Sequence, residues 1–229
     1  MRINIKQQRH SAALASGGIS SQPIYSKFLH LIEELNLKGD CLDFGAGIGN
    51  LSQRIHSLNR FKSITAVDIM EPPIELDSSI NWLTWDLNDS LDIISQKFDV
   101  IVSVEVIEHL ENPRAVAREL FRLLRPGGIL MLSTPNNESW RSLLALLMQG
   151  HFVAFGDSCY PAHITALLRK DIERILNEAG FCNLEFKYTD FGRIPKLTHL
   201  NYQKFSFGIL RGVRYSDNLI VTASKSADF

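Results

Sequence analysis

The segment Cys41–Asn50, reading CLDFGAGIGN, constrains this chain more than any other stretch. Its apolar start, CLDF, reads as a buried parallel strand. Gly45, Gly47 and Gly49 then alternate through a turn, and the run from Asn50 (NLSQRIHSLN) has helical periodicity. A strand that enters a helix through a turn without side chains is the βα unit of an open α/β sheet. It brings free main-chain N–H groups up to a small charged ligand. The spacing is Gly-x-Gly-x-Gly, with Asn50 where a dinucleotide fingerprint has its third glycine. Asp43 precedes the turn. Its carboxylate repels a pyrophosphate and attracts an ammonium or a sulfonium. The bland alternative is a tight turn that binds nothing.

Strand-like and helix-like patterns alternate through the rest of the chain. A helix is expected over 24–36, with Ile24, Phe28, Leu31, Ile32 and Leu35 on one stripe. Strands are expected at 41–45, 62–68, 80–85, 98–104, 129–134, 182–189 and 218–224. Helices are expected at 49–58, 113–124, 138–148 and 169–179, with Pro113 in a first turn and Gly180 closing the last. Pro126-Gly127-Gly128 reads as a turn into the strand that follows. This alternation predicts a doubly wound α/β sheet with helices on both faces, and ligands at the carboxyl ends of its strands. Residues 1–21 read as a mobile arm and 22–229 as one domain, with acceptor-lid insertions near 138–168 and 190–215.

The net charge of −1 implies no nucleic-acid partner. The three cysteines have no metal-like spacing and read as reduced thiols in a cytoplasmic setting. No apolar run is long enough to span a bilayer. Residues 1–32 hold Arg2, Lys6, Arg9 and Lys27 and no acid, which a targeting peptide would also show.

Two further acids end strands. Asp68 closes the second and could accept both hydroxyls of a ribose; a helix cap or a solvated loop acid is the alternative. Asp86, in WDLN, closes the third and could take an exocyclic adenine amine, with Asp89 as the competing acid and a plain cap as the alternative.

Taken in order, DFGAGIG, VD, WDLN, FDVIVSVEVIEHLENP and LLRPGGILMLSTPN resemble the class I methyltransferases that use S-adenosylmethionine, over roughly residues 25–190. EVIEHL with a downstream histidine is similar to the ubiquinone-biosynthesis O-methyltransferases and their relatives. The resemblance implies a Rossmann-like, seven-stranded sheet, mostly parallel, with an antiparallel last strand. It also implies that Asp43, Gly45 and Gly47 cradle the methionine part of the cofactor. Asp68 with Ile69 would hold the ribose, Asp86 with Leu87 the adenine, and Val104 the methionine end. Residues 190–215 match nothing in that group, so the resemblance leaves the acceptor unnamed.

Glu105, Glu108 and His109 follow the fourth strand at offsets that place them on one side of a helical turn. His163 could reach the same cleft. These four could hold Mg²⁺, Mn²⁺ or Zn²⁺, which would activate an acceptor hydroxyl. Without metal, His109 or His163 could take the acceptor proton directly. Glu105 and His109 could also simply cap and pack the turn.

Segment 149–165 is too apolar for an ordinary surface loop, and 138–160 could cover the cleft, pack in the core or lean on a membrane surface. Arg193 and the basic, aromatic run to Arg214 could form an acceptor wall for an anionic or sugar-like group, or a partner interface. The resulting expectation is methyl transfer from S-adenosylmethionine to a small molecule, on oxygen. A nicotinamide-dependent oxidoreductase and a catalytically silent cofactor-binding scaffold are the rivals.

Overall fold

The computed structural model describes residues 5–227. Along the chain the strands are β1 (Gly39–Phe44), β2 (Phe61–Asp68), β3 (Ile80–Thr84), β4 (Phe98–Val104), β5 (Leu124–Pro135), β6 (Cys182–Tyr188), β7 (Arg193–Ile194), β8 (Leu197–Asn201) and β9 (Asn218–Ser224). Seven of them form one sheet in the order β3-β2-β1-β4-β5-β9-β6, while β7 and β8 make a separate hairpin. The first five strands of the chain run parallel, and β9 lies antiparallel between β5 and β6. The sheet is therefore the seven-stranded, mostly parallel one expected, with its last strand reversed.

The chain moves outward from β1 through β2 to β3, then returns to the middle and moves the other way from β4 to β5. Strand order thus reverses between β1 and β4, and the crevice of an open α/β sheet opens at that point. β1 carries apolar side chains on both faces and is buried along almost its whole length, as a central parallel strand must be.

The helices are α1 (Ile5–Ser16), α2 (Gln22–Glu34), α3 (Asn50–Ser57), α4 (Pro113–Leu123), α5 (Trp140–Gln149), α6 (Arg169–Ala179) and α7 (Tyr202–Phe205). Each of the larger ones buries one stripe. α2 starts with Pro23 in its first turn and buries Ile24, Tyr25, Phe28, Leu31 and Ile32. The Asn112 side chain caps α4 by accepting from the Ala115 N–H at 3.1 Å, and Val116, Ala117, Leu120 and Leu123 face the sheet. Gly180, in the left-handed conformation, ends α6. The two faces of the sheet carry separate cores. Phe28, Leu31 and Ile55 pack on one; Phe98, Leu120 and Ile172 pack on the other.

Three expectations need correction. Residues 5–16 of the presumed loose arm are helical, although α1 buries no residue; Arg2 lies outside the described residues. Pro126-Gly127-Gly128 is not a turn ahead of a strand but a wide bulge inside β5, whose pairing jumps from Phe98–Leu124 to Val100–Ile129. Gly127 takes a positive φ there, and Gly128 lies against the Asp99 carbonyl where a Cβ would crowd. Residues 190–215, given no secondary structure from the sequence, hold the β7–β8 hairpin and α7.

Candidate active site at the carboxyl ends of the strands

A cavity of about 830 Å³ opens over the tips of β1, β2 and β4. That lies in the upper part of the roughly 300–1,000 Å³ range of small-molecule sites. Asp43, Gly45, Gly47, Asp68, Ile69, Asp86, Leu87, Val104, Glu105, His109 and His163 all line it. Of the candidate cofactor, catalytic and metal residues, Glu108 alone does not line it and is fully buried behind the wall.

The glycine turn is needed by the fold before any ligand is considered. A Cβ at Gly45 would strike the Val106 side chain, and one at Gly47 would strike the Gly18 carbonyl. Both residues have positive φ. The loop before α2 therefore presses on the turn, and the Ile48 N–H donates to Gly18 O at 3.2 Å.

The acids at the strand tips are tied to this turn. Asp68 Oδ2 accepts from the Gly47 N–H at 2.7 Å, and Oδ1 accepts from the Met70 N–H at 2.9 Å. Burial raises the Asp68 pKa against these hydrogen bonds. Asp43 is buried and accepts from Ser52 Oγ at 2.6 Å. Burial, opposed by that hydrogen bond and helped by Asp68, raises its pKa to about 7. A ligand ammonium would favour the ionised form. Affinity for S-adenosylhomocysteine should then weaken as pH falls below about 7, by at most roughly tenfold per unit, and level off above it. Calorimetry from pH 5.5 to 8 reads this directly.

Asp86 has a partner that sequence reasoning missed. Arg9 of α1 donates from Nη1 to Asp86 Oδ2 at 3.0 Å, and from Nε and Nη2 to Glu111 at 2.9 and 2.8 Å. Lys6 pairs with Asp89 at 2.7 Å. α1 has no buried face, so these charges are what hold it across the cavity mouth. Arg9→Ala is expected to release it, with proteolytic cleavage within 5–18 faster by about tenfold, the equivalent of ~1.4 kcal/mol. Unchanged cleavage would mean that something else anchors α1. The only sequence signal was the basic residues in an acid-free arm, and that pointed to a targeting peptide.

Beyond β4 the chain does not form the expected helical turn. Glu105 sits in the left-handed region, and a short 3-10 turn covers Ile107–His109. The Glu105 carboxylate accepts from Ser133 Oγ at 3.0 Å and from Asn218 Nδ2 at 2.9 Å. Burial lifts its pKa to about 7. Glu108 accepts from Thr134 Oγ1 at 3.1 Å through Oε2, whereas its buried Oε1 has no partner among the described residues. Burial and the nearby Glu105 hold its pKa well above the carboxylate range.

His109 and His163 meet edge to face, with ring centroids 4.7 Å apart. Their Nδ1 atoms lie 2.8 Å from Ala162 O and 2.6 Å from Ala154 O. A carbonyl can only accept, so each Nδ1 carries the proton and each neutral ring keeps its lone pair on Nε2. Burial, with His163 beside it, lowers the His109 pKa to about 4. Glu108, His109 and His163 each place one possible ligand atom within 4.8 Å of the others. Glu105 is not in that group, and its carboxylate is engaged by Ser133 and Asn218.

Segment 149–165 forms two 3-10 turns, and residues 153–154 and 158–164 wall the cavity beside these histidines. In α5, Leu147 and Met148 point outward, 82% and 61% exposed. Among the described residues no helix is long and apolar enough to cross a membrane.

A methyltransferase domain family matches residues 21–185. The chain belongs to the methyltransferase family. The ubiquinone biosynthesis O-methyltransferase of Pseudomonas fluorescens strain Pf0-1 is 31% identical over 124 residues, 50% of this chain and 53% of that protein. The chain thus spans about half the length of the curated relatives it first matches. The protein of the same description from Xanthomonas oryzae is 26% identical over 72% of this chain and 74% of its own length. Among solved structures, a Thermotoga maritima SAM-dependent methyltransferase, described as a possible histamine N-methyltransferase, has a TM-score of 0.63 at 16% identity and covers 89% of both chains. The N-methyltransferase NodS of Bradyrhizobium japonicum, solved with S-adenosylhomocysteine, has a TM-score of 0.55 at 18% identity and covers 88% of this chain and 85% of its own. At these identities the structures speak for the fold alone.

Proposed function

We propose that this methyltransferase moves a methyl group from S-adenosylmethionine to an oxygen of a small-molecule acceptor. One observation carries the reading. The strand-tip acids beside the glycine turn meet His109 and His163 at one cavity, with Glu108 buried directly behind the two histidines. Asp68 would hold the ribose hydroxyls, Asp86 and Leu87 the adenine, Asp43 with the glycine turn the amino acid part, and Val104 the methyl end. The sulfonium already activates the methyl, so the chain need only align donor and acceptor. Alignment contributes up to roughly 7–11 kcal/mol in well-oriented model reactions.

Transfer to oxygen also needs a home for the hydroxyl proton. Two neutral imidazoles with lone pairs on Nε2 fit that task. The names of the curated relatives support oxygen as the acceptor atom. Glu108, His109 and His163 together fit a divalent cation, because Glu108 Oε1 is buried without a partner among the described residues and the possible ligand atoms converge. Two imidazoles with one carboxylate suit Zn²⁺ or Mn²⁺ better than Mg²⁺. A cation bound there would lower the pKa of the acceptor hydroxyl.

The test is incubation with S-adenosylmethionine and a panel of hydroxylated and aminated small molecules, before and after chelation. Expected products are methyl ethers or esters, with activity lost on chelation and restored by Zn²⁺ or Mn²⁺. Methylation of amines alone would overturn the oxygen reading. Activity untouched by chelation would overturn the cation. Tight S-adenosylhomocysteine binding with no product across the panel would favour a silent cofactor-binding protein.

A further inference from the structure

The cavity has a second charged corner, away from the histidines. Arg141 in the first turn of α5 and Arg193 at the start of β7 both approach Asp217, just ahead of β9. Arg193 Nε donates to Asp217 Oδ2 at 2.6 Å, whereas Arg141 Nη1 stands 3.6 Å from the same oxygen. All three residues line the cavity. Two guanidiniums therefore share one carboxylate, and one positive charge is left over.

The other acid nearby does not cancel that charge. Glu138 is taken by Arg169, which donates to it from both Nε and Nη2. Among the described residues Arg141 donates no hydrogen bond, yet its side chain is only 19% exposed. A guanidinium so placed keeps its donors unmet in a site shielded from bulk water, which is costly for the fold alone. Its pKa is lowered by burial and then by the neighbouring Arg193, as two cations crowded together require. Asn218, the next residue after Asp217, donates to Glu105. The corner is therefore joined by one peptide unit to the part of the cleft that faces the histidines.

We propose that Arg141 and Arg193 form an oxyanion subsite that holds a carboxylate or phosphate group of the acceptor and so turns its hydroxyl toward His109 and His163. This rests on the methyl-transfer reading of the cleft and adds the chemical class of the acceptor to it. Arginine forks bind such groups bidentately, which fixes orientation as well as affinity. Asp217 accepts from the Arg193 fork and offsets one of the two charges.

The test is calorimetric titration of the methyltransferase, saturated with S-adenosylhomocysteine, with inorganic phosphate and separately with benzoate, at constant ionic strength. Saturable binding of at least one anion is expected, and the stronger of the two names the group. Arg141→Ala and Arg193→Ala should each weaken it by about tenfold or more, since either change brings the corner to neutrality. Asp217→Asn should tighten it, by about tenfold, because both forks are then free. Arg211→Ala, a basic residue that does not line the cavity, should leave it within about twofold. Unchanged S-adenosylhomocysteine affinity certifies that each variant is folded, and Arg141→Lys, which keeps the charge, should recover part of the binding. No saturable heat with either anion would overturn the subsite, as would equal losses in the Arg141 and Arg211 variants. If S-adenosylhomocysteine itself gave no heat, the methyl-transfer reading would fail, and the same anion titrations on the free chain would still decide the subsite.

Discussion

Replacing Asp68 by alanine is expected to weaken S-adenosylhomocysteine binding by about 10²–10³-fold. The carboxylate has two tasks. It anchors the Gly47 and Met70 N–H groups at 2.7 and 2.9 Å, and it lines the cavity where a ribose diol would sit. Hydrogen bonds to a charged group are worth about 1.5–3 kcal/mol each, so losing the two to the ribose accounts for a change of this size. Two buried main-chain donors also lose their acceptor, and the free protein should melt earlier. Asp68→Asn separates the two effects, because its single carbonyl oxygen can keep one anchor while the charge is gone. Asp77→Ala, on an exposed acid at the surface, should leave affinity within about twofold. Equal affinity in the Asp68 and Asp77 variants would remove the ribose assignment.

The second large effect is expected at the acceptor end. His163→Ala should lower turnover on the acceptor found by screening by about 10²–10⁴-fold, the usual range for a positioned proton-transfer group, and Glu108→Gln should lower it as well by removing a cation ligand behind the histidines. S-adenosylhomocysteine affinity should stay unchanged in both. The two differ in stability. Glu108 has a buried oxygen without a partner among the described residues, and its pKa is raised by burial and by Glu105. The unfolded chain ionises this group near the ordinary glutamate pKa, whereas the folded chain holds its proton to much higher pH. Its presence therefore costs stability as pH rises from about 4 toward the raised value, and costs nothing below that window. Glu108→Gln removes the ionisation, so at pH 7.5 the variant should melt no earlier than the wild-type chain. A melting temperature that falls together with turnover would mark Glu108 as a structural group instead.

What could be read from the sequence follows from which forces leave a periodic trace. β1, β4 and the second half of β2 are apolar runs because both of their faces are buried, and helices such as α2 and α4 repeat a buried stripe at helical spacing. Asp43, Asp68 and Asp86 were legible because a polar residue at the end of an apolar run stands out, and the sheet topology places strand ends together. Arg9 was not legible. Its helix buries nothing, so it has no apolar period, and its contacts reach Asp86 and Glu111 far along the chain. Glu105 was assigned to the wrong local geometry. Spacing suggests a helical turn, but the left-handed backbone at Glu105 is set by its contacts with Ser133 and Asn218, which come from other strands. The glycine turn was found for an incomplete reason. It does lie at the cavity, yet what forbids a Cβ at Gly45 and Gly47 is protein, Val106 and the Gly18 carbonyl. The Arg141–Asp217–Arg193 corner joins a helix, a hairpin and the start of the last strand, so only the folded chain brings it together.

One titration tests the central claim most directly: S-adenosylhomocysteine and, separately, NADH added to the wild-type chain at pH 7.5 in a calorimeter. The account predicts saturable one-to-one heat with the thioether and none with the dinucleotide, since Asp43 and the Gly-x-Gly-x-Gly turn favour an ammonium over a pyrophosphate. Silence with S-adenosylhomocysteine, or binding of NADH in its place, would contradict it.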